Sequence, residues 1–142
     1  LPEQSLVAAL KQAALRGVKI DILIPEKNNL PFFSAAAMAG MRHLVHAGCH
    51  LFLSPPPFDH TQLMIVDGIW TLFGSSNWDA RSLKLNFEFN IECYDKHFGQ
   101  EMCDWVQHRF DTAREIKVAD LKNRPRSHRI FGRLMWLASP YL

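Results

Sequence analysis

His60-Thr61-Gln62-Leu63-Met64-Ile65-Val66, then Asp67-Gly68, then Ile69-Trp70-Thr71-Leu72-Phe73 and Gly74-Ser75-Ser76-Asn77 form the stretch that decides the fold. Two apolar runs flank an Asp-Gly pair, a strong signal for a β-hairpin. Strand periodicity puts His60, Gln62 and Met64 on one face of the first run, so His60 and Gln62 can reach one ligand together. Ser75 and Asn77 emerge where the second run ends, which in an antiparallel pair lies beside the start of the first. Asp67 sits in the turn at the opposite end and reads as a turn residue. On spacing alone, this is a polar cluster at strand ends, suited to an oxyanion ligand.

Upstream of the hairpin, Pro2 and Glu3 suit the first turn of a helix, and Leu6, Val7, Leu10 and Ala14 give it an apolar stripe. Gly17 closes that helix, and Val18 to Ile24 reads as a strand ended by Pro25. A second helix is expected from about Pro31 to Ala47, closed by Gly48. His50 to Leu53 reads as a short strand, and Ser54-Pro55-Pro56-Pro57 as extended, non-helical chain. Downstream, Asp79 to Leu83 makes one or two helical turns. Phe87 to Tyr94 alternates as a strand, with Phe87, Phe89, Ile91 and Cys93 on one side and Glu88, Asn90 and Glu92 on the other. A long helix is expected from about Lys96 to Arg114, with Phe98, Met102, Trp105, Phe110 and Ala113 on one face. This order of elements predicts an α/β fold, a mixed β-sheet sandwiched between helices.

The 142 residues are ordinary for one domain, and a hydrophobic content of 48% supplies a core. A net charge of +2 admits anionic ligands without demanding nucleic acid. Cys49, Cys93 and Cys103 are odd in number and lack CxxC spacing, so they read as packed, reduced thiols. No apolar run approaches the ~18 residues of a membrane span. The first residue is Leu1, so the chain reads as a piece of something longer. Residues 1–122 are expected to form the folded domain and 123–142 a basic amphipathic tail. In that tail Arg124, Arg126, Arg129 and Arg133 interleave with Ile130, Phe131, Leu134, Met135, Trp136 and Leu137, a composition suited to a membrane interface or to packing back on the domain. His43, His46 and His50 do not read as a metal site, because Gly48 breaks the helix between them and no carboxylate or cysteine completes a set.

His60, Gln62, Asp67, Gly74, Ser75 and Asn77 resemble the His-x-Lys-x4-Asp-x6-Gly-Ser-x-Asn motif of the phospholipase D superfamily, matching at five of six positions. Glu88 lies eleven residues beyond Asn77, where that family typically has a glutamate. The segments from Ala13 to Val18, Leu23 to Lys27, Ala47 to Cys49 and Arg81 to Glu88, and the tail from Leu137 to Leu142, resemble the second half of bacterial cardiolipin synthases. In that family the half-domain opens with a strand just before the segment matching Leu1-Pro2, so the expected fold lacks its first strand.

The resemblance implies a mechanism without metal or cofactor. Two motifs, from two halves or two subunits, meet at one site; one histidine forms a phosphohistidine and the other acts as general acid and base. By the same resemblance His60, Glu88 and Asp67 are catalytic or supporting residues, and Gln62, Ser75 and Asn77 bind the substrate phosphate. An imidazole titrates near pH ~6.5, which suits both giving and taking a proton. Glu88 is expected to accept from one ring nitrogen of His60. The implied partners are phosphatidylglycerol, a membrane surface, and an N-terminal half or second subunit, with no nucleic acid. The implied location is the cytoplasmic face of a bacterial inner membrane. Gln62 departs from the motif: an amide donates a hydrogen bond but brings no charge to the phosphoryl group. Replacing a charge-assisted bond by a neutral one forfeits ~1.5–3 kcal/mol. Two alternatives stay open at this point. One is a degenerate half that binds lipid phosphate and supports its partner; the other is a homodimeric phosphodiesterase or nuclease of the same superfamily.

Overall fold

The computed structural model describes residues 3–26 and 40–122. Helix α1 spans Gln4–Leu15, and strand β1 spans Asp21–Pro25. The described part of helix α2 is 40–46. Strand β2 (His50–Ser54) pairs parallel to β1, as expected when a helix lies between two strands. Strand β6 (Arg114–Ile116) pairs antiparallel on the other side of β2, giving a first sheet of order β1-β2-β6. The core sits here: Val7, Leu10, Ile22, Met41, Leu44, Cys49, Leu51, Leu53, Ile116 and Leu121 are buried together. Burial pushes the Cys49 thiol up. All three cysteines are free thiols.

The hairpin forms a second sheet. Strands β3 (Gln62–Val66) and β4 (Trp70–Gly74) pair antiparallel, with Gln62 opposite Gly74 and Val66 opposite Trp70. Asp67 and Gly68 both take positive φ, 53° and 63°, the geometry that an Asp-Gly hairpin turn supplies. Strand β5 (Asn90–Tyr94) pairs with β4 and forms the outer edge. Short helices α3 (Ala80–Lys84) and α5 (Val118–Lys122) complete the set with the longer α4 (Lys96–Phe110).

Helix α4 ties the two sheets together. The Phe98 ring packs on Phe73 of the second sheet at 5.9 Å, and the Phe110 ring meets Phe52 of the first edge-on at 4.9 Å. Near its start the helix presses on the hairpin turn: a methyl group at Gly99 would lie 2.4 Å from the Gly68 carbonyl oxygen.

The α/β class, with helices packed on strands, is as expected, but the strands divide into two three-stranded sheets. Pro55-Pro56-Pro57 separates β2 from β3, and three consecutive residues without N–H groups cannot continue a ladder. The long helix ends at Phe110, and Arg114 enters β6, a strand too short for any periodic signal. Strand β5 begins at Asn90 rather than Phe87, and the side that carries the apolar residues is open: Phe87 is fully exposed, and Phe89 and Ile91 are also exposed. The start of the second helix near Pro31 and the tail 123–142 lie outside the described residues.

Glu3 anchors α1 to the loop after β4. Its carboxylate caps the helix, accepting from Ser5 N at 2.6 Å and Leu6 N at 3.1 Å. It also accepts from the Ser5 hydroxyl and, at 2.9 Å, from the Lys84 ammonium, while its own N–H donates to the Trp78 carbonyl at 2.6 Å. The Ser5 hydroxyl first, then Lys84, lower its pKa from 4.5 to about 2. Because the folded state favours the ionised form, Glu3 adds stability above pH 4.5 that is lost as pH falls toward about 2. Urea denaturation of the wild type and Glu3→Gln should therefore show a stability gap that is constant near neutrality and shrinks through that acid window. A second expectation concerns α4. Gly99→Ala should destabilise the fold by about 1–3 kcal/mol through overpacking against the turn, read from the same denaturation curves.

Candidate active site

The register of β3 on β4 gathers most of the expected site residues at one end of the second sheet. His60 lies just before β3, exposed, with its ring tilted against Phe58 at 5.8 Å between centroids. Gln62 Nε2 lies 3.3 Å from His60 Nδ1 and donates to Asn77 Oδ1 at 2.7 Å. The amide of Gln62 thus joins the strand carrying His60 to the loop carrying Asn77.

Ser75 leaves β4 directly against the start of β5. Its N–H donates to the Phe89 carbonyl at 3.0 Å, and its hydroxyl oxygen accepts the Phe89 N–H at 3.0 Å. The Ser75 hydroxyl donates to Glu88 Oε2 at 2.5 Å. Such close approach requires Gly74, where a methyl group would lie 2.2 Å from the Phe89 carbonyl oxygen. The Glu88 carboxylate also accepts from the Ser82 hydroxyl at 2.6 Å and from Asn86 Nδ2 at 3.2 Å. The bonds from Ser75 and then Ser82 hold the Glu88 carboxyl below the usual carboxylate range, so it is a carboxylate at neutral pH.

These partners differ from the expectation for Glu88. Its oxygens are engaged by Ser75, Ser82 and Asn86, while the ring nitrogen Nδ1 of His60 faces Gln62. Strand spacing explains this: Glu88 sits at the β5 end, across β4 from β3, so Ser75 meets it first. Asp67 is not part of the cluster. It occupies the turn at the far end of the hairpin, about 16 Å of strand away from Gln62.

Ser82 is the residue that the motif does not reveal. It is buried, accepts the Asn77 N–H at 2.8 Å and donates to Glu88, so it links the two halves of the network. Asp79 caps α3 by accepting the Ser82 N–H at 2.9 Å, which orients this first turn. The Asp79-x-x-Ser82 spacing is the signal that could have placed Ser82 at a helix start, with its hydroxyl near the loop. Ser82→Ala leaves the Asn77 N–H without its acceptor and removes a donor from Glu88. The expected cost is about 1–3 kcal/mol of stability, together with an upward shift of the Glu88 pKa, both readable by denaturation and by carbon-13 NMR titration.

The cluster can offer the amide donors of Asn77 and Gln62 to an anion, beside an exposed imidazole and a fixed carboxylate that already holds the Ser75 and Ser82 hydroxyl protons. The fold is that of the phospholipase D family. The chain aligns with the crystal structure of a phospholipase D family member, Nuc from Salmonella typhimurium, at a TM-score of 0.72 and 23% identity, covering 82% of this chain and 76% of that one. More narrowly, the family described as "Cardiolipin synthase, PLD-like domain" matches residues 1–113, and the chain belongs to it. It is 34% identical over its full 142 residues to cardiolipin synthase A of Pseudomonas entomophila (strain L48), covering 30% of that protein. The values against cardiolipin synthase A of Serratia proteamaculans (strain 568) are 32% identity and 29% of the relative. The chain therefore spans under a third of the length of these curated relatives.

Proposed function

We propose that this chain is the carboxy-terminal catalytic half of a cardiolipin synthase-like phosphatidyltransferase. The observation that carries this reading is the continuous network from His60 through Gln62, Asn77, Ser82 and Glu88 to Ser75, in a chain of the cardiolipin synthase-type family. Asn77 offers its side-chain N–H to the phosphodiester oxygens, and Ser75 joins it by turning its hydroxyl from Glu88 to the substrate. His60 serves as the acid and base, and Asp67 shapes the turn that sets the hairpin.

The reaction needs two histidines. An imidazole nitrogen of the partner half forms a P–N bond as the ester P–O bond to the departing glycerol breaks. His60 gives its proton to that leaving oxygen. The hydroxyl of a phosphatidylglycerol then gives a proton to His60 as its oxygen forms a new P–O bond and the P–N bond breaks. One phosphodiester is exchanged for another, so the transfer is close to thermoneutral and requires no cofactor.

A partner half, a lipid substrate and a membrane surface on the cytoplasmic side of a bacterial inner membrane belong to the same reading. The partner is supported by the apolar ridge beside the site, where Leu85, Phe87 and Phe89 are 78%, 107% and 72% exposed. No helix among the described residues is long and apolar enough to cross a membrane, so attachment would fall to other parts of the protein, including the basic tail 123–142.

A specific observation favours a second reading, a degenerate half that holds lipid phosphate while its partner does the chemistry. Gln62 leaves the network without a cation, and its amide is already engaged with Asn77. The two readings separate in the full-length protein reconstituted with phosphatidylglycerol vesicles, followed by cardiolipin formation. For the transferase, His60→Ala abolishes product, and Gln62→Lys raises turnover on the order of 10- to 150-fold if the restored charge acts on the transition state. Unchanged turnover in His60→Ala selects the degenerate half. No cardiolipin from either the Gln62 or the Gln62→Lys protein, both folded, ends the transferase reading.

A further inference from the structure

His60 precedes the first ladder residue of β3, so the strand itself does not hold it. The support comes from its neighbours. Asp59 Oδ1 accepts from the Thr61 N–H at 2.9 Å and the Thr61 hydroxyl at 2.5 Å, closing a tight loop with His60 at its centre. The other oxygen, Oδ2, accepts from Arg109 Nε at 2.9 Å. Both side chains of that pair are 35% exposed, so the bond is only partly screened by water. The Arg109 guanidinium lies 3.3 Å over the Trp105 ring, one turn back along α4. Stacking and ion pairing together leave the guanidinium little freedom. Helix α4 is itself locked at both ends, by Phe98 on Phe73 and by Phe110 on Phe52.

We infer that Arg109 is a positioning residue for His60, acting through Asp59, with Trp105 holding the guanidinium in place. This rests on the transfer reaction proposed above. The exposed imidazole gains a fixed position from a rigid helix fifty residues away in sequence, through one carboxylate that also clamps the residue on its other side. Proton transfer to a leaving oxygen depends steeply on such placement.

The test uses the full-length protein with phosphatidylglycerol vesicles, comparing wild type, Arg109→Gln, Asp59→Asn and Arg109→Lys. Both Arg109→Gln and Asp59→Asn should lower kcat on the order of 10- to 100-fold, with KM little changed. Arg109→Lys, which keeps a cation for Asp59, should recover part of the loss. An activity-independent readout is the rate at which diethyl pyrocarbonate modifies His60, measured by mass spectrometry. That rate should change severalfold in Arg109→Gln and Asp59→Asn, while exposed His97 reacts as before. Unchanged His60 labelling, or a kcat loss that merely follows a fall in melting temperature, overturns the inference. If wild type makes no cardiolipin, the transferase reading has failed, and the labelling still decides whether Arg109 positions His60. Should one variant fail to fold, the other carries the comparison.

Discussion

The pairing of Gln62 with Gly74 sets where every site residue falls. In an antiparallel hairpin the start of one strand lies beside the end of the other, so this single register brings His60 and Gln62 to Ser75 and Asn77. A slip of one residue would turn Gln62 to the opposite face and break its bond to Asn77. The Asp67-Gly68 turn makes the slip unfavourable, because positive φ at both positions suits these two residues and few others. Helix α4 adds a second lock, since Gly99 seats on the Gly68 carbonyl with no room for a side chain. The far end of the hairpin thus controls the placement of a polar cluster about 16 Å away without touching it.

Charge in the cluster is unbalanced. Glu88 is held as a carboxylate by hydroxyl and amide donors, and Gln62 is neutral. Among the described residues, no cation belongs to the hydrogen-bonded network. Lys84 on nearby α3 is engaged with Glu3, and Arg109 with Asp59. A phosphodiester entering here meets neutral donors and one negative neighbour, and Ser75 already donates its hydroxyl proton to Glu88. Binding an anion firmly therefore calls for positive charge beyond this network, which supports the proposed two-part site and the expected gain from Gln62→Lys.

The hairpin and its motif residues were legible because both signals are local. Asp-Gly between apolar runs fixes a turn, and His60, Gln62, Ser75 and Asn77 lie within one supersecondary unit. Glu88 was legible by offset, but its partners were not: only the three-dimensional placement of β5 across β4 from β3 shows that Ser75, not His60, reaches it. Ser82 leaves no periodic trace, since one buried hydroxyl on a five-residue helix looks like any surface serine in sequence. The Asp59–Arg109 pair joins a loop to a helix across fifty residues, and nothing in either segment names the other. A single expected sheet misses the division at Pro55-Pro56-Pro57, and the alternation of Phe87, Phe89 and Ile91 is legible only as a shared side of the strand. Alternation records that side chains share a side of a strand; it does not say whether this chain covers that side.

That uncovered face bears on the weakness of the cluster. Hydroxyl and amide donors open to water contribute little, because solvent competes for every bond and screens each charge. Leu85, Phe87 and Phe89 stand beside Glu88, in the segment that carries it into β5. A partner seated on them would gain apolar burial and, in the same step, exclude water from Ser75, Asn77 and Glu88. Under the proposed transfer reaction, each hydrogen bond to a phosphate would then act in a lower dielectric, and a cation supplied by the partner would act at nearly full strength. Assembly and catalytic competence are on this view one event, driven by the same three exposed side chains.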